Sequence, residues 1–94
     1  MTRTYTVILR SEPEGGFTVL VPALPGCFSF GNDVPEALRM AQEAIECHME
    51  GLRLLGERVP REGKRLALPA EEITGTLLAY RVTASAVPDE ARVA

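Results

Sequence analysis

The stretch from Val21 to Glu36, Val-Pro-Ala-Leu-Pro-Gly-Cys-Phe-Ser-Phe-Gly-Asn-Asp-Val-Pro-Glu, constrains the fold of this chain more than any other. Pro25-Gly26 marks a tight turn: proline pre-sets φ at the second position of a type II turn, and glycine supplies the positive φ of the third. Phe28 and Phe30 stand two apart, which puts both on one face of a strand. Gly31 then breaks that strand. Asn32 or Asp33 can cap a helix, and Asp33 with Glu36 has capping-box spacing.

The flanking segments carry the matching periodicities. Residues 4–10 alternate, with Tyr5, Val7 and Leu9 on one face and Thr4, Thr6, Ile8 and Arg10 on the other. Residues 11–16 form a hairpin loop, with Pro13 and Glu14 in a type I turn and Gly15 as the left-handed residue after it. Residues 17–21 form a second strand, which Pro22 ends because it has no amide hydrogen to donate. Residues 27–30 form the third. From residue 34 to about 55, apolar residues recur at 34, 37, 38, 41, 45, 52 and 55, with His48 counted among them, and fill one arc of a helix. Arg39, Gln42, Glu43, Glu46, Glu50 and Arg53 fill the opposite arc. Ala37, Ala41, Ala44 and Gly51 keep one side small enough for close approach to a sheet. Met40, Met49 and Leu54 read as the margin of the stripe. Gly56 supplies the C-terminal cap. At 1.5 Å per residue the helix is about 30 Å long, enough to cross a small sheet diagonally. A charged loop follows, then a short extended piece at 66–68, a helical turn at 70–73, and a last strand at 76–84 with Leu78, Tyr80 and Val82 on one face.

The order predicts an α+β domain over residues 1–85, an antiparallel β-β-β-α-β meander with one long helix on one sheet face, and a flexible tail at 86–94. Ile8, Leu20, Leu77 and Ala79 make the second sheet face apolar as well. A single helix covers only one face, so the other face, or an edge strand, is expected to be covered by another chain in a homo-oligomer. A stable monomer at micromolar concentration in a sedimentation run would contradict this.

Charge and cysteines narrow the classes further. Thirteen acidic against 10 basic residues leave a net charge of −3, the wrong sign for binding nucleic acid by backbone charge and a better match to a basic protein. Cys27 and Cys47 are too sparse for a disulfide scaffold. No apolar run is long enough to span a membrane, and the N-terminus enters the alternating pattern without a signal-peptide region. The expectation is a cytoplasmic protein with reduced thiols.

Residues 15–31, Gly-Gly-Phe-Thr-Val-Leu-Val-Pro-Ala-Leu-Pro-Gly-Cys-Phe-Ser-Phe-Gly, followed by Pro35-Glu-Ala-Leu38 and Gly56-Glu-Arg-Val-Pro60, resemble the HicB family of antitoxins. That family has a Gly-Tyr/Phe strand, a Pro-x-Leu-Pro-Gly-Cys turn, a glycine before the helix, Glu-Ala-Leu in its first turn and a proline soon after its end. The resemblance covers roughly residues 5 to 60. It implies a partial RNase-H-like fold and a type II toxin–antitoxin role, in which the protein binds and blocks a small basic HicA-type toxin that cleaves mRNA. The family usually has threonine or serine near the helix cap, where this chain reads Gly31-Asn-Asp-Val34. Many members also carry a C-terminal helix-turn-helix or ribbon-helix-helix domain. Only about ten residues follow Ala84, so binding to the operon's DNA is not expected.

The residues read as non-catalytic. A metal-dependent nuclease needs several converging carboxylates; the only aspartates are Asp33, at a helix cap, and Asp89, in the tail. His48 reads as a buried neutral histidine, since consecutive Cys47 and His48 diverge by about 100° on a helix and make a poor ligand pair. Cys27 has no cationic neighbour in sequence to lower its pKa and reads as a small packed residue. Arg58, Arg61, Lys64 and Arg65 form a basic cluster which, alternating with Glu57 and Glu62, reads as a solvated loop. No catalytic residue, cofactor or metal is expected. The candidate partner contacts are Glu12 and Glu14, as acids facing a basic toxin, with Pro22, Leu24 and Pro25 of the turn. The alternative is a solitary oligomeric module that binds a small ligand or RNA without a toxin.

Overall fold

The computed structural model describes residues 2–63 and 76–85. Four strands and one helix follow in the order β1 (Thr2–Ser11), β2 (Phe17–Leu20), β3 (Phe28–Gly31), α1 (Val34–Leu54) and β4 (Leu77–Ser85). The sheet is antiparallel throughout, in the order β3-β2-β1-β4. The α+β meander with one helix on one face is therefore the observed fold. The expected pieces at 66–68 and 70–73 and the tail at 86–94 lie outside the described residues.

Alternation fixes which face is inside. Tyr5, Val7 and Leu9 of β1 are fully buried, as are Val19 of β2 and Ala84 of β4. The register sets Leu9 opposite Leu78, Val7 opposite Tyr80 and Tyr5 opposite Val82, so one sheet face is continuously apolar. Against it α1 lays Ala37, Ala41, Ile45 and Met49, each fully buried and each four residues from the last. Burying side chains of this kind contributes about 1.5–3 kcal/mol for each large one.

The helix starts where its capping residues require. Asp33 is extended, and its Oδ1 accepts the Glu36 amide at 2.8 Å; Glu36 Oε1 in return accepts the Asn32 amide at 2.7 Å. Of the two candidate caps, the structure selects Asp33. Asp33→Ala is expected to cost about 1 kcal/mol, lowering Tm by roughly 4–8 °C in a calorimetric scan. At the other end the amides of Gly56 and Glu57 bond back to the carbonyls of Arg53 and Leu52, a Schellman closure.

Four readings of the helix are corrected. Met49 is central to the core rather than marginal, because it continues the 37-41-45 row. Leu55, though on the apolar arc, is 76% exposed; periodicity gives an angle around the axis and not how far the sheet extends along it. Glu50 is buried at 9%, held by Arg53, whose Nη2 donates to both carboxylate oxygens at 2.7 Å. Gly51 is exposed and nothing lies within 4 Å of where its Cβ would be, so it permits no close approach. The close approach lies elsewhere: a Cβ on Gly31 would stand 2.4 Å from the backbone N and Cα of Ala37. Gly31 ends β3 as a paired strand residue, opposite Phe17, rather than breaking it.

After the helix the chain crosses the β2-side edge of β1, beyond the last residue that β2 pairs. Val59 is buried, the Tyr5 hydroxyl donates to the Pro60 carbonyl, and the Glu62 carboxylate accepts from the Thr6 amide, the Thr6 hydroxyl (3.0 Å) and Arg81. Burial would raise the Glu62 pKa, but the Thr6 and Arg81 bonds outweigh it and hold the carboxyl below its ordinary value of about 4.5. A depressed folded-state pKa stabilises the fold above the unfolded value and loses that contribution as pH falls through the folded one. Thermal melts from pH 7 to 3 are therefore expected to show a steeper loss below about pH 4.5 for the wild type than for Glu62→Gln; parallel curves would contradict this.

Candidate partner-binding surface

Helix proximity explains the most unusual feature of the surface. Where α1 sits on β3, Gly31 touches its backbone, and the inward positions of β3 are the small residues Ser29 and Gly31. The large residues of this strand point the other way. Phe28 is 68% exposed and Phe30 46% exposed, on the sheet face opposite the helix. Only five aromatic residues occur in the chain, and two of them face outward here. Leu20 lies opposite Phe28 and Thr18 opposite Phe30, and exposed Ala79 of β4 lies on the same face, but Ile8 of β1, expected on this face, is buried at 6% and adds nothing to the exposed surface.

The edge is open as well as apolar. The Val21 amide bonds to the Cys27 carbonyl, at 3.3 Å, so the odd-numbered residues of this segment turn toward β2. The alternation of antiparallel pairing then turns the backbone groups of Phe28 and Phe30 outward. Among the described residues no strand pairs with that edge. An incoming strand would meet backbone donors and acceptors together with two aromatic rings.

The turn before β3 is rigid. The Leu24 amide bonds to the Val21 carbonyl and the Cys27 amide to the Leu24 carbonyl, at 3.0 and 2.9 Å. Pro25 and Gly26, with φ +86°, occupy the central positions of the type II turn expected there. Leu24 is fully buried and anchors the turn from beneath, so it offers no side chain to a partner. Pro22 is half-buried, while Pro25 is exposed. At the other end of β2, Glu14 is exposed at the hairpin tip. Glu12 accepts from Thr18 Oγ1 at 2.6 Å and from Arg10 Nε at 3.0 Å, and these bonds hold its pKa below the ordinary value. The structure thus places the acids and the prolines at opposite ends of β2. Phe28 and Phe30 bridge them: Phe28 follows the turn, and the Phe30 ring packs against Gly16 of the hairpin loop. Sequence reasoning put the two rings on one face but not in the site; the signal was the small residues alternating with them.

His48 is half-buried rather than buried. It lines a shallow hollow of about 220 Å³ with Gly26, Cys27, Phe28, Ala44 and Cys47, where the facing glycine has no side chain to cover it. Both cysteines are free. Cys27 is buried, and desolvation, with the nearby Cys47, pushes its thiol up to about 11. Among the described residues no three histidine, cysteine or carboxylate side chains converge, and no helix is long and apolar enough to cross a membrane.

The surface is thus a small antiparallel sheet backed by one helix, with a pinned turn and, among the described residues, an unpaired edge strand that carries two exposed aromatic rings. A family model described as HicB_like antitoxin of bacterial toxin-antitoxin system matches residues 5–74, and the chain belongs to that family. A relative, the UPF0150 protein Ta0767 of Thermoplasma acidophilum, is 44% identical over 70 residues, covering 74% of this chain and 93% of its own. The fold matches a toxin–antitoxin complex from Streptococcus pneumoniae with a TM-score of 0.73 at 16% identity, over 90% of this chain and 70% of that one. It also matches a HicA3 and HicB3 toxin-antitoxin complex with a TM-score of 0.56 at 24% identity, over 90% and 99%.

Proposed function

We propose that this chain is a cytoplasmic, non-enzymatic antitoxin that binds a small basic HicA-type toxin and blocks its RNA-cleaving site by occlusion. The observation that carries the reading is the outward pair Phe28 and Phe30 on an open edge strand, in a member of an antitoxin family. Exposed aromatics on a preformed surface are the usual anchors of protein interfaces. Pro22 and Pro25 flank one end of this surface and Glu12 and Glu14 the other. Glu14 supplies an exposed acid at the rim with no ion-pair partner among the described residues, where charge steers association with a basic partner. Glu12 is offset by Arg10 and contributes less. The solved complexes of similar fold, named as toxin–antitoxin pairs, support the class of partner.

The test is an RNA-cleavage assay with a small basic HicA-type toxin, sought first in the adjacent reading frame. Stoichiometric addition of this chain is expected to abolish cleavage; undiminished cleavage at tenfold excess would overturn the reading. A second reading, a solitary oligomer, is favoured by the same apolar face, since Phe28, Phe30 and Leu20 would equally suit a second copy. A concentration-dependent sedimentation profile with no toxin present is its expected signature.

A further inference from the structure

The loop after α1 is fastened at Val59, Pro60 and Glu62, and Arg58 and Arg61 beside these points are left unfastened. Val59 is buried, Pro60 is held by the Tyr5 hydroxyl, and Glu62 is turned toward Thr6 and Arg81. Arg58, just before those points, and Arg61, between the last two, line a hollow of about 420 Å³ with Val59 as its apolar wall. Arg3, from the start of β1, enters the same hollow. Its Nε is buried and has no hydrogen-bond partner. Among the described residues no carboxylate lines the hollow, and none of the three guanidinium groups is ion-paired.

Three like charges brought together from two parts of the chain repel one another, all the more at a partly desolvated site. An anion relieves that repulsion and accepts the donors that the fold leaves over. Guanidinium groups bind carboxylate and phosphate in fork geometry, but three positive charges complement a doubly charged group better than a singly charged one. We propose that the hollow formed by Arg3, Arg58 and Arg61 is a phosphate-binding site. It lies on a chain that is acidic overall, so it is a local feature rather than part of a general basic surface. The ligand class is a phosphate group, carried either as a terminal monoester or as the diester of a nucleic-acid backbone. The inference is independent of the antitoxin reading.

The test is a titration of isotopically labelled protein with inorganic pyrophosphate at constant ionic strength, following the Arg Nε–H signals and the Val59 amide by NMR. Constant salt is required because simple screening also moves such signals. Saturable shifts in both are expected, with Tm rising as the site fills. Arg58→Gln and Arg61→Gln, both at exposed positions, are each expected to weaken binding about tenfold, the effect of losing one charge-assisted pair. Arg3→Gln should do the same. Shifts that do not saturate, or an affinity unchanged in Arg58→Gln and Arg61→Gln, would overturn the proposal. Competition then identifies the source. A short RNA displacing pyrophosphate only when it carries a 5′-phosphate indicates a terminal phosphate, and equal displacement by the 5′-hydroxyl form indicates the backbone.

Discussion

Gly31→Val is expected to destabilise the domain by about 3 kcal/mol or more, lowering Tm by roughly 12 °C or more in a domain of this size. A Cβ at this position would stand 2.4 Å from the backbone N and Cα of Ala37, and 2.9 Å from its Cβ. Flexible side chains can yield to such a contact, but helix backbone cannot. The first turn of α1 would have to lift from β3, and the row of Ala37, Ala41 and Ile45 would lift with it. In a small domain with a total stability of about 5–15 kcal/mol, that is a large fraction. Gly51→Ala is the control. Nothing lies within 4 Å of the added carbon, and the helix is expected to gain about 0.5–1 kcal/mol from the removed flexibility. A Gly31→Val melt within 2 °C of the wild type would contradict the packing described.

The second large effect concerns the partner. Under the proposed function, alanine at both Phe28 and Phe30 is expected to weaken binding of the proposed toxin partner by about a thousandfold, since a buried aromatic anchor typically contributes about 2 kcal/mol or more. The fold should survive, because neither ring belongs to the core and both are substantially exposed. Calorimetric titration of the variant, alongside its melting curve, separates lost affinity from lost structure. An affinity within threefold of the wild type would place the interface elsewhere.

The strands were legible from their period of two: Tyr5, Val7 and Leu9 carried both the strand and its inward face, although buried Ile8 breaks the alternation of burial in β1. The Pro25-Gly26 turn and the Asp33 and Gly56 caps were legible because each depends on the chemistry of a few adjacent residues. What could not be read was distance along an element and contact between remote ones. Leu55 escapes the sequence reading because helical periodicity gives an angle only, whereas Met49 continues the row of 37, 41 and 45 and its angle alone already points to the core. Gly31 was read as a strand breaker because its contact with Ala37 exists only once helix and sheet are packed. The same limit hid Arg3 beside Arg58 and Arg61, which are more than fifty residues away. It also hid the outward direction of Phe28 and Phe30, which follows from how little room α1 leaves beneath β3.

The most direct measurement is recovery of the tagged chain from its own cells, run beside the Phe28→Ala/Phe30→Ala variant, with the bound material identified by mass spectrometry. The account predicts one small basic protein in near-equal amount, toxic when expressed alone, bound to the wild type and absent from the variant. Recovery of the chain only with itself, or equal recovery of that protein by both forms, would contradict it.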